Sequence, residues 1–265
     1  MTKLPAGPGR ATAPGRVNLL RWAADRGPAS RQTVRGPAGA AKMVPVTGVY
    51  LEAGKKRVFA CAVDWPGWCR SGRGEEQALA ALATAASRYA VLAALASIPF
   101  DPVAEVDCIE IAETVTGSSA TDFGALDVAP AVDAEPVTAR QAERLAVLVQ
   151  TAWDYFEETA AASEPVLRTG PRGGGRDRNQ IIEHVHETEV LHARMLGLKE
   201  RPFPARDTAA LARVRAGILA GVRAGAVSGA PDDLGRSRRP ARFVARRTAW
   251  HAVDPAWEIQ DKQES

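Results

Sequence analysis

The sequence predicts an α+β fold, a small β-β-β-α(-β) domain followed by a four-helix bundle. Three observations carry this. Two β-rich runs, VPVTGVYLE (44–52) and RVFACAVDW (57–65), stand close together and are separated by a GKK turn. Four amphipathic helical stretches fill residues 138–262, three of them opened by an N-cap signal. Between the two blocks lies GSSATDFGALDVAPAVDAEP (117–136), polar and rich in turn formers. The expected organisation is therefore an α+β domain over 43–116, a linker over 117–137 and a helical bundle over 138–262.

Residues 1–42 read differently from the rest. Of these 42 residues, 26 are Ala, Gly, Pro or Arg, and only VNLLRWAAD (17–25) is apolar. Too little can be buried to offset the entropy of ordering, so the stretch reads as a disordered tail. The same composition results when GC-rich upstream DNA is translated, which makes Met43 the alternative start. The tail also carries the charge. It holds eight Lys or Arg against one acid, Asp25, whereas residues 43–265 hold 26 basic against 30 acidic side chains. The net charge of the folded part gives no reason to expect nucleic acid as a partner.

From Met43 each element has its own signal. In the second run Val58, Ala60 and Ala62 point one way and Phe59, Cys61 and Val63 the other, so both faces are apolar and the strand is central. WPGW (65–68) turns the chain into a short third strand, WCRSG (68–72). A helix follows over 74–98, with Leu79, Leu82, Ala86, Tyr89 and Ala93 on one stripe and Pro99 as its stop. DCIEIAETV (107–115) alternates Ile109 and Ile111 against Glu110 and completes the sheet.

In the bundle Thr138 and Gln141 form a capping box before the stripe Leu145, Leu148, Ala152, Phe156. Asp177 with Gln180 opens the second helix, which Gly197 ends. Asp207 caps the third, with Leu211, Val214, Ile218 and Val222 inward. The fourth runs from about Ala241 to Lys262.

Cys61, Cys69 and Cys108 are odd in number and lack CxxC spacing, so neither a disulfide framework nor a zinc knuckle is expected. They read as buried small hydrophobes. No apolar run reaches the length of about 20 residues that a membrane span needs, and no signal-peptide run opens the chain. A cytoplasmic protein without a membrane partner is the expectation.

Two resemblances add to this. The stretch FACAVDWPGWCRSGRGEEQALAALATAASRY has a strand ending in Asp64-x-Pro66-Gly67, a short strand, then Gly74-Glu75-Glu76 leading into a helix. In this, residues 44–95 resemble the HicB-like fold, which implies a protein-binding domain, often an antitoxin that faces a small ribonuclease. Residues 138–262 resemble the DinB-like bundle, a superfamily of metal-dependent, thiol-cofactor-using transferases and isomerases and of members without assigned activity. That resemblance implies a divalent metal, Zn or Ni, held by one His of the second helix and an H-x-x-x-H pair of a later one. IIEHVHETE (181–189) places His184 at the first position and WHAVDPAWE (250–258) places His251 at the second. The third falls on Pro255. Asp254, three residues after His251, is the substitute ligand, with Glu258 behind it.

His184 lies on a stripe with Ile181, Val185, Thr188, Leu191 and Met195 and is expected to point inward; His186 and His192 read as surface or rim. TGPRGGGRDR (169–178) runs into a helix start, so Arg172, Gly173, Gly174 and Arg176 are candidates for binding a carboxylate or phosphate, against the plainer reading of a flexible connection. In RSRRPARFVARRTAW (236–250), Arg242 and Arg246 share a face and read as a solvated basic surface. Trp65 and Trp68 flank Pro66-Gly67 and mark an interface, either with a partner or, as the favoured reading, between the two blocks of this chain. Two functions follow from these residues. One is a non-catalytic binding or regulatory protein with a degenerate metal site and a protein or small-molecule partner. The other is a metal-dependent, thiol-using transferase or isomerase.

Overall fold

Strands β1 (Thr47–Ala53) and β2 (Val58–Ala62) form an antiparallel pair in which Val49 faces Ala62 and Ala53 faces Val58. The Gly54 N–H closes their turn on the Arg57 carbonyl at 2.8 Å. This computed structural model describes residues 47–168, 175–225 and 238–263, so the readings of the tail and of Arg172, Gly173 and Gly174 lie outside the described residues. Strand β3 (Cys69–Gly72) pairs with β2, and β2 therefore has a neighbour on each side.

The β2–β3 register sets Cys61 directly opposite Cys69, with Cα atoms 4.2 Å apart, and the two are joined by a disulfide. This corrects the expectation of three unpaired cysteines. A spacing of eight residues is not a motif by itself; strand register turns it into a face-to-face pair.

Helix α1 (Glu75–Leu95) packs on β2 and β3 through Leu79, Leu82, Ala86, Tyr89 and Ala93, all buried. By length and composition it is apolar enough to cross a bilayer, but its buried stripe lies against the sheet. Asp101 caps the short helix α2 (Pro102–Asp107) by accepting from the Val103 and Ala104 N–H groups. The chain then returns as β4 (Ile109–Thr116), parallel to β1 and at the sheet edge, giving the order β3-β2-β1-β4.

The segment after β4 is folded. It contains helix α3 (Ser119–Phe123) and a 3₁₀ turn, Ala131–Ala134. Glu52 of β1, fully buried, accepts hydrogen bonds from the Thr121 hydroxyl and from the Asp127 and Val128 N–H groups. Further on, buried Asp133 pairs with Arg246.

Helices α4 (Ala139–Ala161), α5 (Arg178–Met195), α6 (Thr208–Arg223) and α7 (Ala241–Gln263) make the helical part. The capping boxes at Thr138 and Asp177 are both formed, and Asp207 caps α6. α7 packs on α4, α5 and α6, and its Trp250 also closes the second face of the sheet. There Trp250 joins Tyr50, Phe59, Cys61, Val63, Cys69 and Leu126, meeting Phe59 edge to face with ring centroids 5.6 Å apart.

That central position accounts for a second correction. Arg242 and Arg246 are buried, 7% and 2% exposed, and not a solvated face. Arg246 donates to the Val63 carbonyl at 3.1 Å, bonds Asp133 and lies 5.0 Å from the Tyr50 ring centroid. A helix packed on all sides must bury polar residues too, and the Arg246 charge is paired with Asp133.

Candidate functional site

The Asp177–Gln180 capping box sets the start of α5: the Gln180 N–H donates to Asp177 at 2.9 Å and the Asp177 N–H donates to Gln180 at 3.0 Å. From there the buried face of α5 is Ile181, Val185, His186, Glu189, Val190, His192 and Ala193. The expected stripe is thus rotated. Leu191 is 49% exposed, and His184 sits at the solvent edge. His186 and His192, read from sequence as rim residues, are buried.

His184 nevertheless reaches α7. Its Nε2 lies 3.2 Å from Nε2 of His251, and the ring centroids are 4.9 Å apart. Burial lowers the pKa of both, reinforced at His184 by the Arg176 charge and at His251 by His184 and Arg247; His251 falls to about 3. Both rings are therefore neutral near pH 7, and one donates its Nε2–H to the lone pair of the other. The same spacing suits two lone pairs on one cation. At metal–nitrogen bonds near 2.0–2.1 Å, tetrahedral ligands stand about 3.3 Å apart.

The third ligand does not join them. Asp254 Oδ1 accepts from Arg70 of β3 at 2.7 Å, and Arg70 also lies 5.4 Å from the centroid of the Trp257 ring. Glu258 is held by Arg176 at 3.3 Å and by Lys262 at 2.6 Å. Pro255 sits inside α7 and offers no donor atom. Among the described residues no group of three or more His, Cys, Asp or Glu is arranged to hold a metal ion. The residues present thus do not fit the three-ligand centre that the DinB-like resemblance implies. They supply two imidazoles of it.

Behind the pair stands His192, 1% exposed, with its ring edge-on to His251 at 5.5 Å between centroids. Neither of its nitrogens has a protein partner among the described residues. Of the anion-site candidates, Arg176 is described, and its guanidinium is already matched by Glu258.

The tryptophan turn is enclosed. Trp68 is fully buried and donates to the Leu82 carbonyl at 2.9 Å, while Trp65 donates to Glu105 at 3.1 Å. Both rings pack against Tyr89 and Phe100. Arg144 of α4 lies 4.1 Å from the Trp65 ring centroid and bonds the Asp64 carbonyl. Gly67, at φ +95°, passes so close to α7 that a Cβ there would stand 3.0 Å from a Val253 methyl. The turn therefore meets both α4 and α7.

A four-residue polar network was missed from sequence. Arg215 of α6 holds both oxygens of Glu189 through Nε, at 3.1 and 3.0 Å, and reaches Glu157 of α4 through Nη2 at 2.7 Å. His186 meets Glu157 at 2.9 Å through Nε2 and the Ala205 carbonyl at 3.1 Å through Nδ1. Both its nitrogens face acceptors, which favours the doubly protonated ring and raises its pKa against the effect of burial. Burial alone would raise Glu157, but hydrogen bonds from His186 and Arg215 hold it below the usual range. The available signal was the pair His186 and Glu189, three apart and next to an apolar stripe, with Arg215 inside another. No protein-family model matches the chain, and no curated protein or solved structure matches it significantly.

Proposed function

We propose that this chain is a non-catalytic binding or regulatory protein, a DinB-like bundle with a degenerate metal site joined to a HicB-like α+β block. The observation that carries the reading is the state of the third ligand position. Pro255 has no donor, and Asp254, the nearest carboxylate in sequence, is engaged by Arg70. A metal-assisted enzyme needs enough protein ligands to fix the ion and one open position for substrate or water. Two imidazoles leave the ion too loosely held for that. The partner in this reading is a protein or a small molecule.

The alternative is a metal-dependent transferase or isomerase that uses a low-molecular-weight thiol. It is favoured by one distance, the 3.2 Å between the His184 and His251 Nε2 atoms. Metal content by mass spectrometry, on protein purified from Met43 and on a Pro255→His variant, separates the two. The expected result is metal in the variant alone. About one equivalent of Zn or Ni in the unmodified protein, lost in His251→Ala, overturns the binding-only reading in favour of the enzyme. Metal in neither protein removes His184 and His251 as ligands.

A further inference from the structure

The groove between α4 and α6 is a cavity of about 320 Å³, near the lower end for small-molecule sites. About half of its lining is apolar: Leu211 and Leu219 at the back, with Ala212 and Ala216 on the open side. Its polar groups are Gln150, Thr208 and Arg215.

Arg215 is the unusual one. Its Nε and Nη2 are spent on Glu189 and Glu157, and the guanidinium lies 5.1 Å from the Trp153 ring centroid. These bonds fix its plane and leave out Nη1. A guanidinium so held costs no side-chain entropy when it donates once more, which is the advantage of a preorganised donor. The local charge then decides what it takes. Two carboxylates, Glu189 and Glu157, already match this guanidinium and the His186 ring, so the network has no positive charge to spare, and Gln150 at the rim donates to a further carboxylate, Asp154, at 2.8 Å. An incoming anion would meet these carboxylates; a neutral acceptor would not.

We infer that this groove is a second binding site, for a small neutral molecule with a carbonyl or amide oxygen at one end and an apolar body. The oxygen accepts from Arg215, and the body lies along Leu211 and Leu219. The site is separate from the His184–His251 pair and does not depend on any role for it.

The test uses the full chain with N-butylacetamide as probe and hexanoate as its anionic counterpart, followed by methyl NMR of Leu211 and Leu219. The expected result is saturable shifts of both leucines in the millimolar range with the amide, and roughly tenfold weaker binding of hexanoate. Ala216→Phe fills the groove from its exposed side. It is expected to weaken amide binding by roughly tenfold or more while the melting temperature stays unchanged. Equal or tighter binding of hexanoate overturns the inference, as does an absence of shifts. So does amide binding that survives Ala216→Phe.

Discussion

His251 shows how much a single group depends on its surroundings. In the unfolded chain its imidazole takes a proton near pH 6.5; in the folded protein burial and neighbouring positive groups delay this to about 3. The folded state binds fewer protons across that window. The stability from this group is therefore present above about pH 6.5 and lost as pH falls towards 3, by at most about 1.4 kcal/mol per pH unit. His186, whose pKa is raised by Glu157 and the Ala205 carbonyl against burial, works the other way: its contribution is present at low pH and lost as pH rises. Urea unfolding at pH 7 and pH 5 should give a lower midpoint at pH 5, and His251→Phe should flatten the difference. An unchanged slope in that variant would remove His251 as its source. Asp254 makes the contrasting case. Its pair with Arg70 is partly exposed, 44% and 31% by side chain, so Asp254→Asn should cost no more than about 1 kcal/mol. It should also leave cation binding by the Pro255→His variant unaltered; weakened binding would show Asp254 to be a ligand.

At the scale of elements, caps and buried stripes do separate work. Thr138 and Asp177 each take part in a reciprocal capping box. Thr138→Ala and Asp177→Ala should each lower stability by about 1 kcal/mol, read from denaturant midpoints at constant slope. Asp177→Ala should further broaden the His184 resonances, because the box anchors the start of the helix that carries His184. Sharp, unshifted signals would deny that link. Stripes were legible wherever a helix buries one face only: Leu145, Leu148, Ala152 and Phe156 on α4, and Leu211, Val214, Ile218 and Val222 on α6, are all buried. On α5 the stripe is rotated, and on α7 the polar residues were misread, because the buried faces include His186, Glu189, His192, Arg242 and Arg246. A polar side chain with its partner on another element has the sequence signature of a surface residue.

At the scale of the whole molecule, the described residues of the sheet and of the helices form one compact unit, and the segment between them contributes to it. Asp133 in that segment pairs with Arg246 of α7, which also bonds the Val63 carbonyl beyond β2. Breaking this buried pair leaves one charge alone in the interior, so Asp133→Ala and Arg246→Met should each cost about 3–5 kcal/mol. The double variant should cost less than the two together. Simple additivity in the double-mutant cycle would show that the pair contributes nothing through its contact.

Local signals were enough for the strands and the long helices and their order, but not for α2, α3 and the 3₁₀ turn. Alternating β-branched residues, N-caps, Gly197 and Pro99 act over one or two turns of chain, and the strands and long helices lie where those residues place them. The resemblance to the HicB-like fold rests on such a signal, the turn between Trp65 and Trp68, and that to the DinB-like bundle rests on two histidine motifs. What no local signal reports is which side chains meet across elements. The disulfide between Cys61 and Cys69 depends on strand register. Whether His184 meets His251 depends on how α5 and α7 are turned toward each other, and Asp254 turns to Arg70 because β3 lies against the same helix. Packing chooses those orientations to bury the largest apolar area, and polar groups take the partners that this leaves within reach.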